Sequence, residues 1–129
     1  MNFMEFDFRS LFEVSNLLAI SIGTFVGLLI GALPGLGATV AIVMLLPFTY
    51  GMEPLASVLM LVAAYQGAEY GGSISSIILG IPGTPAAAAT LLDGNALSRQ
   101  SSPGKALGYS LAASTVGGLF GGLMLLLLS

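Results

Sequence analysis

The thirty-nine residues 14–52 carry no charged side chain, and in their middle stands GALPGLG, residues 31–37, with three glycines and a proline in seven positions. The first property asks for lipid or a dry protein interior. The second asks for a broken backbone, since glycine costs about 1 kcal/mol and proline about 3 kcal/mol against alanine inside a helix. In hydrocarbon an unpaired backbone N–H or C=O is expensive, so a break survives at membrane depth only buried in protein or lining a watery cavity. Together these demands predict an all-α integral membrane protein. Its expected architecture is a polytopic helical bundle with short, broken or re-entrant helices at the Pro-Gly breaks.

Composition agrees. Apolar residues make up 56% of the chain and charged residues 7%, against about a quarter charged in soluble domains, and the mean hydropathy is +1.00. Continuous apolar runs at residues 14–33, 54–70 and 106–128 approach the roughly 20 helical residues that cross a hydrocarbon core. They do not alternate as barrel strands do. The start, MNFMEFDFRSLFEV, is acidic where a secretory leader is basic. Its Phe3, Phe6, Phe8 and Phe12, interleaved with Glu5, Asp7 and Arg9, read as an interfacial segment over residues 1–13, ahead of a transmembrane domain over 14–129. No cysteine is present, so disulfides are excluded. Three basic residues against six acidic ones leave no basic patch for nucleic acid, and no metal or cofactor set stands out.

Along the chain, the first span is expected to end near Leu33. Residues 36–50 would make a half-helix of about 22 Å, with Pro47 bending its end. Glu53 before Pro54 reads as a helix start, an anion beside the N-terminal dipole and proline in the first turn. After a third span over 54–70, Gly71 and Gly72 are expected to break the backbone. Residues 73–81 then form a short piece, Pro82, Gly83 and Pro85 break the chain again, and the alanines that follow start another short helix. Residues 93–105 are the one clearly hydrophilic loop, placed on the cytoplasmic side by Arg99 and Lys105. In the last span GGLFGG and Ser114 suggest close packing on a neighbour.

The two breaks, LPGLGAT and IPGTPAA, share a chemistry, and both predict a cavity. A helix that starts at a break aims unpaired amides and about half a positive charge at the gap, a natural place for an anion. Gly35, Leu36, Gly37 and Ala38 offer such amides, as do Gly83 and Thr84. Thr39, Ser73, Ser75, Ser76 and Thr84 add hydroxyls, with Tyr65, Gln66 and Tyr70 on the approach. No lysine or arginine lies between Arg9 and Arg99, so an anion would be held by dipoles and hydroxyls. The plainer alternative is that the small residues only let helices approach closely. Glu69 is the ionisable residue embedded between apolar flanks, and it is the candidate for ion coupling, to Na+ or H+. No enzyme is indicated and no catalytic residue is assigned. The chain has no histidine for a serine-histidine pair, and no lysine follows the glycines to make a phosphate loop.

GALPGLGATVAIVMLLPFTYGMEP, followed by YGGSISSIILGIPGTPAAAATLLDG and ALGYSLAAS, closely resembles the start of the large membrane subunit of tripartite tricarboxylate transporters, the TctA family. The match runs from about residue 27 onward. The resemblance implies a multi-pass secondary carrier of di- and tricarboxylates such as citrate, driven by an ion gradient, in the bacterial inner membrane. It also implies two partners, a small four-helix membrane subunit and a periplasmic solute-binding protein. Carried over by position, the functional stretches are Pro34, Gly35 and Gly37, then Tyr70, Gly71, Gly72, Ser73, Pro82, Gly83, Thr84 and Pro85. The family's subunit is several times longer, with a second half that repeats the first, so this sequence is expected to be the N-terminal portion of an inverted-repeat carrier. The alternative from another class is a small ion-conducting ring subunit that uses Glu69.

Overall fold

The computed structural model describes residues 9–129, and the regular elements among them are all helical. A 3-10 turn, Ser10–Phe12, leads into α1 (Val14–Gly31), α2 (Gly37–Thr49), α3 (Pro54–Leu79), α4 (Ala88–Gln100) and α5 (Pro103–Leu128). Among the described residues, α1 and α5 are the two helices long and apolar enough to cross a membrane. α3 has the same 26-residue length as α5, about 39 Å at 1.5 Å per residue, but it carries Gln66, Glu69 and several serines. Phe3, Phe6 and Phe8 of the expected interfacial segment lie outside the described residues, while Phe12 is exposed.

The largest interface is α1 on α3, and it is built from missing side chains. A methyl group at Gly23, Gly27 or Gly31 would run into the main-chain carbonyl oxygen of Met60, Ala64 or Ala68, respectively. From the other side, a methyl at Gly67 or Gly71 would lie 2.5 Å from the carbonyl oxygen of Thr24 or Leu28. Each helix thus presents a row of small residues at intervals of four, and each row receives the partner's carbonyls. Backbones this close gain dispersion and Cα–H···O contacts, which drive association where lipid removes the hydrophobic incentive. α2 folds back against the same pair, and the core between them is small-residue rich: Ala19, Leu45, Ala56, Met60 and Ala64 at one level, Ile30, Ala38, Ala41 and Ala68 at the other.

Three sequence-based expectations change. Gly71 and Gly72 do not break the chain: α3 runs through both, and neither takes positive φ. Their lack of a side chain serves packing instead, Gly71 against α1 and Gly72 against Thr84. The break falls later, where Gly80 caps α3 in the left-handed region at φ 71°. Residues 93–105 are not a loop either, since α4 continues to Gln100. Asn95 Nδ2 donates to the Ile77 carbonyl (3.0 Å) and Arg99 Nε donates to Asn95 Oδ1 (3.0 Å), so the polar residues hold α4 to the end of α3. Ser102 then caps α5 by accepting from the Lys105 amide, with Pro103 in the first turn. Finally, Gly117, Gly118, Gly121 and Gly122 of GGLFGG meet no atom within 4 Å, and Ser114 is exposed. Among the described residues nothing packs against those four glycines.

The expected half-helix is present as the 13-residue α2, with Pro47 inside its last turn. Glu53 stands at the N-cap of α3 with Pro54 next, although its side chain makes no capping hydrogen bond.

Overfilling a close-packed contact costs roughly 1–3 kcal/mol or more. Gly27→Leu should therefore lower the unfolding temperature of the detergent-solubilised protein by several degrees. Gly104→Ala, where a methyl meets nothing within 4 Å, should leave it unchanged or slightly raised. Equal behaviour of the two variants would contradict the carbonyl-in-glycine seam.

Candidate functional site

The seam of α1 and α3 brings the two Pro-Gly breaks together. Gly83 lies where a side chain would strike the Gly31 carbonyl oxygen, and where even a methyl would come within 2.7 Å of Gly72 Cα and Ser75 Oγ. Its amide donates to the Gly72 carbonyl at 3.4 Å. The second break is thereby pressed into the angle between the end of α1 and the middle of α3. The first break leaves that same end of α1. Between the two lies a cleft of about 680 Å³, bordered by residues 35–39, residues 82–86, Tyr65 and Glu69.

The first wall is made by alternating backbone hand. Gly35 and Gly37 take φ of 85° and 70°, with Leu36 between them in the right-handed region at φ −82°, ψ −47°. Such alternation turns successive amides toward one concavity, a form that accepts anions. α2 starts at Gly37 with no side-chain cap, so the first-turn amides of Gly37, Ala38 and Thr39, residues that line the cleft, have no intrahelical acceptor. A residue with Cβ in the left-handed region costs about 1–2 kcal/mol, which explains glycine at both positions.

The second wall is organised by Thr84, which is 2% exposed. Thr84 Oγ1 donates to Glu69 Oε2 at 3.0 Å and accepts from the Ala87 amide at 3.3 Å. One hydroxyl thus caps the approach to α4 and aims its proton at the carboxylate. Ser76 Oγ lies 3.0 Å from both the Gly72 and the Ala87 carbonyl oxygens, sharing its proton between α3 and the segment before α4.

Of the residues singled out from sequence, Gly35, Gly37, Thr39, Pro82, Gly83, Thr84, Pro85 and Glu69 border the cleft. Leu36 and Ala38 also border it, as does Tyr65 on the approach. Pro34 is the exposed residue just ahead of the first wall. Gly71 and Gly72 are buried in helix packing. Ser75 is buried behind Gly83 with its hydroxyl donating to the Gly72 carbonyl at 2.9 Å. Ser73 faces elsewhere, onto a smaller cavity of about 240 Å³ that it shares with Gln66, Glu69, Tyr70, Thr90 and Ser114. Thr90 and Ala86 were not singled out, and both became neighbours of Glu69 only through the fold. The seam glycines Gly23, Gly27 and Gly31 were also missed, although their four-residue spacing is visible in the sequence.

Residues 17–129 match the family described as the tripartite tricarboxylate transporter TctA family. The chain is also similar to an uncharacterized 52.8 kDa protein in the TAR-I ttuC' 3' region of Agrobacterium vitis, with 36% identity over 125 residues, 97% of this chain. The chain spans about a quarter, 24%, of the length of that relative. No solved structure matches the chain.

Losing the Thr84 hydroxyl leaves a half-buried carboxylate without its donor and the Ala87 amide without its side-chain acceptor, at a cost of about 1–3 kcal/mol. Thr84→Val should accordingly lower the unfolding temperature by several degrees, and Thr84→Ser should restore most of it. A valine variant as stable as the parent would show that the Glu69–Thr84–Ala87 chain carries no weight.

Proposed function

The chain belongs to the tripartite tricarboxylate transporter TctA family, a family of transporters rather than enzymes, and from that premise we propose that its cleft is the carboxylate-binding half-site of a multi-pass carrier in the bacterial inner membrane. The observation that carries this reading is the meeting of the two breaks at one cleft, with the N-terminus of α2 on one side and the non-helical segment 82–86 that leads to α4 on the other. Facing helix N-termini at broken segments are a recurrent way for secondary transporters to hold carboxylates.

The chemistry of the walls supports an anion with several carboxylates. Free amides at residues 37–39 supply directed donors, and the hydroxyl of Thr39 and the phenol of Tyr65 supply movable ones. The volume suits a molecule of citrate size, since small-molecule sites commonly span about 300–1,000 Å³. Among the described residues no cationic side chain borders the cleft, so recognition would rest on dipoles and hydrogen bonds. Carriage would be secondary and driven by an ion gradient, with Glu69 as the coupling residue. The working assembly would add a small four-helix membrane subunit and a periplasmic solute-binding protein that delivers the substrate. The apolar outer faces of α1, with Leu18, Ile22, Phe25 and Leu29 exposed, and of α5 suit lipid or further helices. The ring-subunit alternative asks for a continuous hairpin, and the separate short helix α2 after a glycine-rich break speaks against it.

Radiolabelled citrate uptake into cells expressing the complete protein with its partner subunits tests this reading. Gly35→Val forces a branched side chain into a left-handed backbone, and Gly83→Val drives the second break off α1 and α3. Both should reduce uptake by at least about ten-fold, the effect of roughly 1.4 kcal/mol, while the protein still reaches the membrane by immunoblot. Undiminished uptake in both variants would rule out the cleft as the substrate site.

A further inference from the structure

The two walls of the cleft differ in hydrogen-bonding character. The first, residues 35–39, is rich in donors, because the first-turn amides of Gly37, Ala38 and Thr39 have no intrahelical acceptor. The second, residues 82–86, has few. Pro82 and Pro85 have no N–H to give, the Gly83 amide donates inward to the Gly72 carbonyl at 3.4 Å, and the Thr84 hydroxyl spends its proton on Glu69. What this side of the cleft offers instead is an acceptor.

That acceptor is Glu69. Its Oε2 is taken by Thr84 at 3.0 Å, which holds the carboxylate in place. Among the described residues Oε1 has no hydrogen-bond partner, and it is not shut away from solvent, so a molecule in the spaces that Glu69 borders can reach it. A ligand carboxylate brought there meets like charge. An O–H group brought there makes a charge-assisted hydrogen bond, about twice as strong as a neutral one. A molecule that suits both walls therefore presents carboxylates to one and a donor to the other.

We propose that Glu69 is a specificity-determining residue whose free Oε1 accepts from a hydroxyl of the substrate, so that the cleft selects hydroxy-carboxylates over acids of the same skeleton that lack the hydroxyl. The proposal rests on the carboxylate reading of the cleft. A hydroxyl is the donor that a di- or tricarboxylate can carry without losing the net negative charge that the first wall attracts. Selection then has an attractive and a repulsive part. In one orientation the hydroxyl bonds Glu69 and the carboxylates meet the amides; turned end for end, the same molecule sets a carboxylate against Glu69. An analogue without the hydroxyl leaves Oε1 desolvated and unpaired, which is why a site built around a substrate hydroxyl rejects the deoxy compound. This role is separate from ion coupling, since a coupling ion acts on both acids alike and leaves the ratio of their affinities unchanged.

The test is competition for radiolabelled citrate on the complete purified protein, at a pH where the competing acids are fully ionised. The competitors are unlabelled citrate and tricarballylate, which has the same three carboxylates on the same carbon skeleton without the hydroxyl. Tricarballylate should need about a ten-fold higher concentration for half-displacement, the effect of one lost hydrogen bond to a charged group. In Glu69→Ala that preference should vanish, whatever the change in absolute affinity. The nearly isosteric Glu69→Gln, which keeps an acceptor oxygen but not the charge, should give an intermediate preference and serves if the alanine variant does not fold. Thr39→Ala, on the opposite wall, should weaken both acids alike and preserve their ratio. Equal displacement by the two acids in the parent, or a preference unchanged in the Glu69 variants, would overturn the proposal while leaving the carboxylate reading intact. Absence of saturable binding of either acid would refute that reading and the proposal with it.

Discussion

The structure depends on the contact of carbonyl oxygens with glycine Cα atoms along α1 and α3. In water, two apolar helices are driven together by burial; in lipid, that incentive is nearly absent and close van der Waals approach must replace it. Gly23, Gly27 and Gly31 on one helix and Gly67 and Gly71 on the other permit an approach that any larger residue would forbid. The consequence reaches past the seam itself. Gly31 is the last residue of α1, and its carbonyl is also what Gly83 packs against. The register of the seam therefore decides where the second break lands, and the first break, starting directly after Gly31, lands beside it.

α3 consequently serves two environments along one length. Its small-residue face is spent on α1, and the stripe from Gln66 to Ser73 is left to face α4 and α5. Gly72 sits between the two faces and yields its side-chain space to Thr84. This is why a helix with a carboxylate and several serines remains unbroken: the serine hydroxyls at 75 and 76 return to the Gly72 carbonyl, local bonding that a helix tolerates, and Glu69 takes its donor from a neighbouring segment. The polar groups are satisfied sideways, within protein, and the backbone ladder stays intact.

Much of this was legible in the sequence, for identifiable reasons. Proline and positive-φ glycine have strong local signatures, so α2 and the first break were located closely, and the pairing of Glu53 with Pro54 marked the start of α3. Glycine within a helix has no such signature. Gly71 and Gly72 read as a breaker because the propensity scale charges them for lost entropy, while the compensating gain, contact with α1 and with Thr84, belongs to tertiary structure. The polar run at 93–105 misled for a related reason: Asn95 and Arg99 mark a loop by composition, yet their hydrogen bonds to Ile77 and to each other hold a helix in place. Most residues that line the cleft come from the two breaks, whereas Ser73, Ser75 and Gly72 lie on other sides of α3, because a helical run read as broken has no predictable facing.

The absence of lysine and arginine from the cleft bears on how a carrier works. A buried guanidinium paired to a carboxylate costs about 3–5 kcal/mol to break on one side, a hold that would slow release on every cycle. A helix terminus contributes about 0.3–1 kcal/mol to an anion, and up to about 2 kcal/mol when partly buried. On the proposed carboxylate reading, several such contributions from residues 35–39 would hold an anion moderately, and they would fade as soon as either wall moved.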